Sequence, residues 1–421
     1  MNARPASLRL YSLAARLAEP LAGAVLRARA RRGKEEVARL GERLGRASSL
    51  RPDGPVAWLH GASVGESLSL IPLARGLIAR RPGLSIVVTT GTVTSAQLMA
   101  ERLPAGAMHQ YAPIDGPTSV ARFLDHWRPC AGFLAESELW PNLIDAARQR
   151  GVRLALVSAR MTEASARGWT RAPAAARALL SAFETVMPQD AASAERFAAL
   201  GARLGPALNL KRLGEPLPCD PDILAALRDA IGLRPVVAAV STHPGEEALI
   251  AKAFRAAATP EALLVLIPRH PARGEAVAAE LGALGFACAL RSRGEPPGHG
   301  IYIADTLGET GLFLRLARFA VMGGGFAGGI GGHNPLEPAR LGVPVLTGPA
   351  VFNAQALFDE MFAEAAAIAA PDGSALTRHM AGLLASPQIA RRMGEAARAY
   401  AERQGAALDA ALAQLAPMTG P

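Results

Sequence analysis

Short apolar runs alternate with amphipathic segments along most of the chain, and this alternation restricts the possible folds more than any other feature of the sequence. In the first half the predicted strands cover residues 56–60, 84–90, 108–111, 131–136, 153–158 and 185–187. Predicted helices lie between them, at residues 66–80, 95–103, 117–127, 139–150 and 191–199. Short strands separated by helices are typical of a parallel sheet that is covered on both faces.

A turn-rich segment at residues 205–221 interrupts the alternation, which then starts again. The predicted strands of the second half cover residues 236–241, 263–268, 287–290, 300–303, 319–322 and 344–346. Because 421 residues are long for a single core, we predict two Rossmann-like α/β domains, at residues 33–214 and 215–388. The last segment, 389–421, is predicted to be a helix that returns to the first domain. Parallel sheets of such domains face a central cleft, and the active site is expected at the carboxyl ends of their strands.

The composition is that of a basic, globular protein. Half of the residues are hydrophobic, 19% are charged, and the net charge of +9 is carried almost wholly by arginine. Guanidinium groups suit phosphate and carboxylate ligands, so the charge favours an anionic substrate or an anionic membrane. Nucleic acid is disfavoured as a partner because aromatic residues are few and do not alternate with basic ones. The three scattered cysteines indicate a reducing compartment.

Residues 1–32 have the pattern of an amphipathic helix. One face carries Leu10, Leu13, Leu17 and Leu21, and arginines lie on another face. The longest charge-free run is far shorter than the ~20 residues of a membrane span. We therefore predict a helix that lies in an anionic membrane interface and is kinked at Pro20. Packing of the same helix on its own domain is the alternative.

A glycine-rich stretch follows one of the predicted strands of the second half. Seven of the ten residues from Gly323 to Gly332 are glycine. Glycine lets a backbone approach a ligand closely, and the helix predicted to begin at Asn334-Pro335 would direct free N–H groups at a phosphate. Helix capping explains Asn334 and Glu337 equally well, but it does not explain the glycines. The stretch therefore predicts a nucleotide or phosphate site.

Polar side chains follow several predicted strands of the first half. Glu66, after the first strand, could act as a general base or could close a helix-capping box with Ser63. Glu136 and Glu138, after the fourth strand, could bind sugar hydroxyls, although Glu138 could equally start a helix. Arg160, after the fifth strand, could bind a substrate carboxylate or phosphate or form a surface ion pair.

The second half repeats this arrangement. Ser241 and Thr242 follow a predicted strand with hydroxyls suited to a phosphate, and Arg269 follows the next strand. Residues 305–309 could accept hydrogen bonds from a ribose. The chain has no P-loop and no HExxH motif, and its one Asp-x-Asp, at residues 220–222, lies in the linker. These residues predict an enzyme without a metal or a cofactor that binds an activated nucleotide beside a membrane.

Together these motifs resemble the 3-deoxy-D-manno-octulosonic acid (Kdo) transferase family over nearly the whole chain. The matching segments are residues 33–35, 39–45, 60–66, 136–142, 158–160, 241–247, 268–271 and 332–338. The resemblance implies a GT-B glycosyltransferase fold with two Rossmann-like domains. It also implies CMP-Kdo as the donor and a lipid A precursor as the acceptor, in lipopolysaccharide synthesis at the cytoplasmic face of the inner membrane.

The resemblance implies roles for individual residues as well. Glu66 stands where the family has its proposed general base, in an inverting transfer that needs no metal. The residues implied to bind the donor are Ser241, Thr242, Arg269, Gly323, Gly324, Gly325, Asn334 and Glu337. Those expected on the acceptor or sugar side are Ser63, Glu136, Glu138 and Arg160. The chain departs from the family pattern at Leu208, Ser137 and Ser158, where the family commonly has glycine, threonine and asparagine.

Two other functions are compatible with these residues. A sugar-nucleotide 2-epimerase on the same fold would need the glycine loop and the carboxylates, but neither an acceptor groove nor an amphipathic N-terminus. A non-catalytic lipid- or nucleotide-binding scaffold would tolerate the loss of Glu66. Transfer activity that depends on Glu66 would separate the three functions.

Overall fold

The chain divides into two compact units. The computed structural model describes residues 4–214, 216–298 and 300–420. Residues 1–3 of the predicted membrane segment, residue 215 at the predicted domain boundary and residue 421 lie outside the described residues. Unit 1 is Met1–Gly214 together with Gln404–Pro421, and unit 2 is Glu215–Arg403.

Unit 1 is built on a sheet of six parallel strands with helices between them. The strands are β1 (Val56–His60), β2 (Ser85–Thr90), β3 (Ala107–Tyr111), β4 (Ala131–Ala135), β5 (Arg153–Ala159) and β6 (Phe183–Pro188). The helices are α1 (Ala6–Ala18), α2 (Ala22–Ala30), α3 (Leu40–Arg43), α4 (Val64–Arg80), α5 (Val93–Arg102), α6 (Pro117–Trp127), α7 (Pro141–Gln149), α8 (Glu163–Thr170), α9 (Pro173–Leu180) and α10 (Ala191–Ala199). The strand order β3-β2-β1-β4-β5-β6 places β1 beside β4.

The central strands of unit 1 are buried on both faces, which explains why they are continuous apolar runs in the sequence. All five residues of β1 are buried. Alternate side chains of β1 enter different cores: Trp58 shares a core with Phe123 of α6, whereas Leu59 shares a core with Leu73 of α4. The second of these cores also contains Leu412, from the C-terminal part of the chain.

The N-terminal segment forms α1 and α2, joined by a 3-10 turn at Glu19–Leu21 that contains Pro20. Leu8 and Leu26 are buried, and Leu8 shares a core with Phe123 of α6. The apolar side chains that are each more than half exposed are Leu10, Leu13, Leu17, Leu21 and Val25. Within the described residues, no helix is long and apolar enough to cross a membrane.

Two carboxylates fix this segment to unit 1. Glu19 accepts hydrogen bonds of 3.0 and 2.6 Å from two backbone N–H groups at the start of α6. The Tyr11 hydroxyl donates to Asp115 at 3.0 Å, and Asp115 accepts two backbone N–H groups at the start of α7. Both carboxylates lie where the partial positive charge of a helix N-terminus favours them. Burial nevertheless raises the pKa of Asp115 to about 6, against the effect of these bonds.

Unit 2 is built on a sheet of seven parallel strands. The strands are β7 (Val236–Thr242), β8 (Leu263–Pro268), β9 (Cys288–Leu290), β10 (Gly300–Ile303), β11 (Phe319–Met322), β12 (Val345–Thr347) and β13 (Ala367–Ala369). The helices are α11 (Pro221–Ile231), α12 (Glu246–Ala257), α13 (Gly274–Ala283), α14 (Thr310–Leu316), α15 (Leu336–Arg340), α16 (Gln355–Ala363), α17 (Gly373–Ala385) and α18 (Pro387–Leu415). The strand order is β13-β12-β11-β7-β8-β10-β9.

The predicted strands are all present, each with its ends within two residues of the observed ones. The sequence did not predict β13, an edge strand of three residues at Ala367–Ala369. The predicted helix at residues 139–150 begins later, at Pro141, because proline is favoured in the first helical turn. Helix α18 extends from unit 2 into the residues of unit 1, which begin again at Gln404.

Candidate active site

The predicted site residues lie at or just after the carboxyl ends of strands in both units. In unit 1 the strand order reverses between β1 and β4, and in unit 2 it reverses between β7 and β11. Open parallel sheets bind ligands at such points. The residues that follow β1 and β4 are Ser63, Glu66, Glu136 and Glu138, and those at the ends of β7 and β11 are Ser241, Thr242, Gly323, Gly324 and Gly325.

Glu66 lies in the first turn of α4 and caps that helix. Its Oε2 accepts the N–H of Ala62 at 2.8 Å, and its Oε1 accepts the Ser63 hydroxyl at 2.6 Å. The Ser63 hydroxyl oxygen accepts the N–H of Glu66 at 3.3 Å in return. The carboxylate stays partly exposed. Because a carboxylate has about four acceptor positions, these two donors leave room for a further hydrogen bond, and capping does not prevent Glu66 from accepting a proton.

Glu138 is held by an imidazole and an indole. Nε2 of His60 lies 3.2 Å from Oε2 of Glu138, and the Trp140 indole N–H donates to the same oxygen. Nδ1 of His60 lies 2.9 Å from the Thr89 hydroxyl. Burial would raise the pKa of Glu138, but the hydrogen bonds from His60 and Trp140 lower it below its usual range. His60 is a candidate site residue for which the sequence predicted no role. Its position at the end of a buried strand is the feature that could have indicated one.

A left-handed backbone marks the ends of β4 and β5. Glu136 has φ 56° and Ser158 has φ 50°, values that residues other than glycine seldom adopt and that occur often at functional sites. The Glu136 carboxylate is nearly buried and pairs with Lys211. The Arg160 side chain is exposed. Unit 1 therefore presents three carboxylates and one exposed guanidinium at this edge of its sheet.

The same backbone feature occurs in unit 2, where Ser241 has φ 56° near the end of β7. The next residue, Thr242, is buried, and its hydroxyl donates to Oε1 of Glu247 at 2.9 Å. Arg273 donates to the same oxygen at 2.7 Å. The Thr242 hydroxyl is therefore engaged within the protein, and Ser241 offers the more accessible hydroxyl of the two.

The first glycines of the glycine-rich loop are required by packing within unit 2. A Cβ at Gly323 would lie 2.4 Å from the carbonyl oxygen of Ser241. A Cβ at Gly325 would lie 2.7 Å from the hydroxyl of Thr347. The close backbone approach that these glycines allow is thus an approach of the loop to β7 and β12.

The N–H groups of the same loop point at a carboxylate of the protein itself. Glu246, the first residue of α12, accepts the N–H groups of Gly324, Phe326 and Ala327 at 2.8, 2.9 and 3.1 Å. A phosphate at this position would meet amides that are already bonded. Donor binding by Gly323, Gly324 and Gly325 through their N–H groups remains a prediction, and Glu246 is the group that fills the nest of amides.

Two histidines from different loops of unit 2 contact each other. Nε2 of His243 lies 2.8 Å from Nε2 of His333, and the rings are stacked with centroids 5.1 Å apart. Burial, His243 and Arg269 lower the pKa of His333. The sequence placed both histidines in motifs but did not pair them, because 90 residues separate them along the chain.

Arg269 extends an exposed side chain from the end of β8, and its backbone N–H donates to the carbonyl of Thr242 at 3.0 Å. Its charge acts on both His333 and Glu337. Burial raises the pKa of Glu337, while Arg340 and Arg269 oppose that rise. The guanidinium of Arg269 therefore lies within electrostatic range of both His333 and Glu337.

Three predicted hydrogen-bonding side chains have partners within unit 2. Asn334 is exposed and its Oδ1 accepts the N–H of Leu336 at 3.1 Å, but the N-cap residue of α15 is Pro335, so the predicted cap, Asn334, lies one position before the observed one. Asp305, proposed from the sequence as a ribose ligand, accepts the N–H and the hydroxyl of Ser292 at 2.8 and 2.6 Å. Glu309 forms a bidentate pair with Arg291.

These two sets of groups suit different chemistry. The partly exposed Glu66 of unit 1 is suited to removing a proton from a hydroxyl. In unit 2, Arg269 and the imidazoles are suited to an anionic group such as a phosphate. Among the residues that the structure describes, no three or more His, Cys, Asp and Glu side chains come together as a metal site.

Sequence comparison identifies relatives over nearly the whole chain. The profile of a family described as 3-Deoxy-D-manno-octulosonic-acid transferase (kdotransferase) matches residues 38–212. A 3-deoxy-D-manno-octulosonic acid transferase of Bordetella pertussis is 37% identical over 93% of this chain and 94% of its own length. A probable mitochondrial 3-deoxy-D-manno-octulosonic acid transferase of Arabidopsis thaliana is 35% identical over 81% of this chain and 79% of its own.

Solved structures show the same fold at low sequence identity. A glycosyltransferase from Rickettsia africae has a TM-score of 0.55 and 9% identity, and covers 86% of this chain and 97% of its own. A putative UDP-N-acetylglucosamine 2-epimerase from Listeria monocytogenes has a TM-score of 0.52 and 13% identity, over 85% of this chain and 97% of its own. The C-terminal CMP-Kdo binding domain of WaaA from Acinetobacter baumannii is 30% identical and covers 42% of this chain and 96% of its own, with a TM-score of 0.41. The predicted GT-B fold, with two parallel-sheet α/β domains, is confirmed.

Proposed function

The chain belongs to the 3-deoxy-D-manno-octulosonic acid (Kdo) transferase family, and we propose that it transfers Kdo from CMP-Kdo to a lipid A precursor in lipopolysaccharide synthesis. The observation that carries this proposal is the 37% identity with a Kdo transferase over 93% of the chain. The epimerase alternative rests on a likeness of fold at 13% identity, which carries no activity with it.

We place the donor nucleotide on unit 2. This placement is supported by three kinds of group that suit a phosphate. They are the exposed guanidinium of Arg269, the accessible hydroxyl of Ser241 and the paired imidazoles, and they belong to loops at the carboxyl ends of neighbouring strands. CMP carries one phosphate, and arginine binds phosphate through charge-assisted hydrogen bonds. The remaining residues proposed for the donor site are Thr242, Gly323, Gly324, Gly325, Asn334 and Glu337.

We place the acceptor and the general base on unit 1. Glu66 accepts the proton of an acceptor glucosamine hydroxyl as that oxygen bonds to the anomeric C2 of Kdo. The bond between C2 and the phosphate oxygen of CMP breaks, the electron pair leaves with CMP, and the configuration at C2 inverts. The Ser63 hydroxyl, 2.6 Å from the Glu66 carboxylate, orients it. Glu136, Glu138 and Arg160 are proposed to bind the acceptor or the sugar.

In this proposal, protein groups stabilise the negative charge that develops on the phosphate of the departing CMP. Arg269 supplies a fixed positive charge, and preorganised charges of this kind stabilise a leaving anion. The proposed reaction includes neither a metal nor a cofactor.

An assay with purified components tests the function. CMP-Kdo is first generated enzymatically and separated from the generating enzyme. The protein is then incubated with this donor, lipid A precursor and EDTA, and the lipid product is followed by mass spectrometry. We expect an increase in lipid mass that corresponds to added Kdo, and release of CMP. Conversion of a sugar nucleotide to its 2-epimer without transfer would instead support the epimerase, and transfer abolished by EDTA would contradict the metal-free mechanism.

We further propose that the N-terminal segment, residues 1–32, binds the anionic cytoplasmic face of the inner membrane. Leu13 and Leu17 belong to the exposed apolar stripe of α1, while Leu8, on another face of the same helix, is buried. Arg9 and Arg16 lie on the same helix. An apolar stripe accompanied by arginines is suited to the interface of an anionic bilayer.

Substitutions within the stripe test membrane binding. The double variant Leu13→Glu/Leu17→Glu should lose most of its binding to vesicles that contain phosphatidylglycerol, measured by co-sedimentation. Leu50→Glu is the matched control, because Leu50 is 90% exposed in unit 1 but lies outside the stripe. Equal sedimentation of the double variant and the control would contradict the proposal.

A further inference from the structure

Glu246 is a buried carboxylate whose partners are almost wholly backbone amides. It is the first residue of α12, directly after the turn that follows β7, and it is only 2% exposed. Burial of a carboxylate is costly unless hydrogen bonds replace its hydration. Among the ion pairs of the described residues, none includes Glu246. Its stabilisation must therefore come mainly from the groups that donate to it.

Four backbone N–H groups converge on this carboxylate. Oε1 accepts those of Phe326 and Ala327 at 2.9 and 3.1 Å. Oε2 accepts those of His243 and Gly324 at 3.0 and 2.8 Å. Each oxygen thus receives two donors, and a group with only one acceptor oxygen could not bind all four. Three of the donors belong to the glycine-rich loop, and the fourth belongs to the turn between β7 and α12.

The carboxylate therefore joins two segments that are far apart in the sequence. Gly324 and Ala327 lie 78 and 81 residues from Glu246. The turn that Glu246 holds contains His243, and the loop that it holds continues to His333, whose imidazole contacts that of His243. A glycine-rich segment has high conformational freedom in isolation, so its fixed shape requires such an anchor.

We propose that Glu246 is a positioning residue for the donor nucleotide, acting as a resident anion that holds the glycine-rich loop in its binding shape. The proposal rests on the placement of CMP-Kdo on unit 2. The phosphate of the donor is then bound by groups outside the amide nest, such as Arg269 and Ser241. Glu246 does not touch the reacting atoms, and its effect reaches the donor through the loop and through His333.

Three variants test this role. Glu246→Ala empties the nest, and Glu246→Gln keeps the shape but replaces one acceptor oxygen by a donor, so that two of the four amides lose their partner. Asp372→Ala is the matched control, because Asp372 also accepts a backbone N–H in unit 2, at the start of α17, 2.7 Å from the amide of Ala375. Thermal unfolding of all three variants establishes that each is folded.

The first measurement is CMP binding by calorimetry, together with the KM for the acceptor. We expect the Kd for CMP to rise about tenfold or more in Glu246→Ala and Glu246→Gln, with little change in the KM for the acceptor and no change in Asp372→Ala. Sodium formate, compared with sodium chloride at equal ionic strength, should restore CMP binding to Glu246→Ala. It should not restore binding to Glu246→Gln, whose side chain fills the nest.

The second measurement is hydrogen exchange of the loop amides without any ligand. Gly324, Phe326 and Ala327 should exchange faster in both Glu246 variants, and formate should slow this exchange in Glu246→Ala alone. Equal CMP binding by Glu246→Ala would overturn the proposal, because Glu246 would then have no effect on the donor. Tighter binding would overturn it as well, because the nest would then be the phosphate site that Glu246 blocks. Failure of the wild-type protein to bind CMP would contradict the placement of the donor on unit 2. Hydrogen exchange of the loop amides tests whether Glu246 anchors the loop, and this test does not depend on where the donor binds.

Discussion

Glu66 and Glu246 occupy equivalent places in the two units but have different surroundings. Each lies in the first turn of the helix that follows a central strand, β1 in unit 1 and β7 in unit 2. Glu66 is partly exposed, and its carboxylate accepts hydrogen bonds from Ala62 and Ser63, its own neighbours in the sequence. Glu246 is buried and bonds to a loop about 80 residues away. In the reaction proposed above, the first carboxylate is free to accept a proton, whereas the second holds the loop of the donor site.

The difference lies in what each sheet places beside its central strand. In unit 2, β11 lies next to β7, so the glycine loop that follows β11 comes within reach of the first residue of α12. In unit 1, β4 lies next to β1, and the segment after it presents Glu138, which bonds to His60 rather than to the helix start. An acidic residue at a helix start therefore has no fixed role. Its role depends on the loop of the neighbouring strand.

The largest effect is expected from removal of the Glu66 carboxylate. Glu66→Gln should reduce kcat by about 10²–10⁴-fold, the usual contribution of a general base, while the Kd for CMP stays unchanged. Single-turnover transfer assays and calorimetry measure the two quantities. Ser63→Ala is the control, since it removes one hydrogen bond but keeps the carboxylate, and it should lose far less activity. Unimpaired transfer by Glu66→Gln would remove Glu66 as the base.

A second prediction concerns the carboxylate that anchors α1 in unit 1. The folded protein holds the Asp115 proton more tightly than the unfolded chain does, since the pKa is raised from 3.8 to about 6. Above pH 4 the unfolded chain releases this proton first, so the free energy of unfolding falls as the pH rises to about 6. The total loss is about 3 kcal/mol, at about 1.4 kcal/mol for each pH unit.

Asp115→Asn, which cannot ionise, should lack this loss. Urea unfolding of both proteins at pH 4 and pH 7 measures it as a change in the difference between their unfolding free energies. A difference that is independent of pH would show that the carboxyl titrates normally in the folded protein.

The donor side of the comparison is tested at Arg269. Arg269→Ala should weaken CMP binding by about 10–100-fold, because a hydrogen bond to a charged group contributes about 1.5–3 kcal/mol. Cytidine, which has no phosphate, should bind wild type and variant alike in the same calorimetric titration. Arg255→Ala removes an exposed arginine of unit 2 that stacks on Phe286, and serves as the control. An equal loss for cytidine would mean that Arg269 shapes the site instead of binding the phosphate.

The smallest effect is expected from the histidine pair, with the opposite sign to that of Asp115. Burial, His243 and Arg269 lower the pKa of His333 below its ordinary value of 6.5. The unfolded chain therefore takes up this proton first as the pH falls, and the free energy of unfolding decreases below about pH 6.5. His333→Gln should flatten this decrease in urea unfolding measured between pH 7.5 and 5.5. An unchanged slope would place the proton on another group.

The sequence predicts most of the fold because both sheets are parallel and buried. Runs such as Val236–Thr242 are apolar on both faces, and helices of amphipathic pattern separate them. The strand Ala367–Ala369 was not predicted because it is a short edge strand in which isoleucine is the one apolar side chain larger than alanine. Candidate site residues can be predicted because parallel strands end at the same edge of a sheet, which brings together the polar residues that follow each strand.

The contacts between these residues could not be predicted. The carboxylate of Glu246 reads as a helix-start acid in the sequence, and nothing local indicates that it binds Phe326 or Ala327. The pairing of His243 with His333 could not be predicted for the same reason, since it depends on β11 lying beside β7. Strand order is set by tertiary packing, and a single sequence carries little trace of it. The glycines at 323 and 325 predict a close approach of the backbone to a ligand, and in the structure the positions of their missing Cβ atoms lie against Ser241 and Thr347.

Helix α18 has a consequence for how the protein is made. Its residues up to Arg403 belong to unit 2, and the rest belongs to unit 1. Leu412 and Leu415 lie in the same core as Leu59 and Leu73. During synthesis on the ribosome, one face of the unit 1 sheet therefore stays incompletely covered until all of unit 2 has been synthesised. Unit 2 can finish folding first, and a chaperone that recognises exposed apolar surface is expected to engage the earlier-made half of the chain for longer.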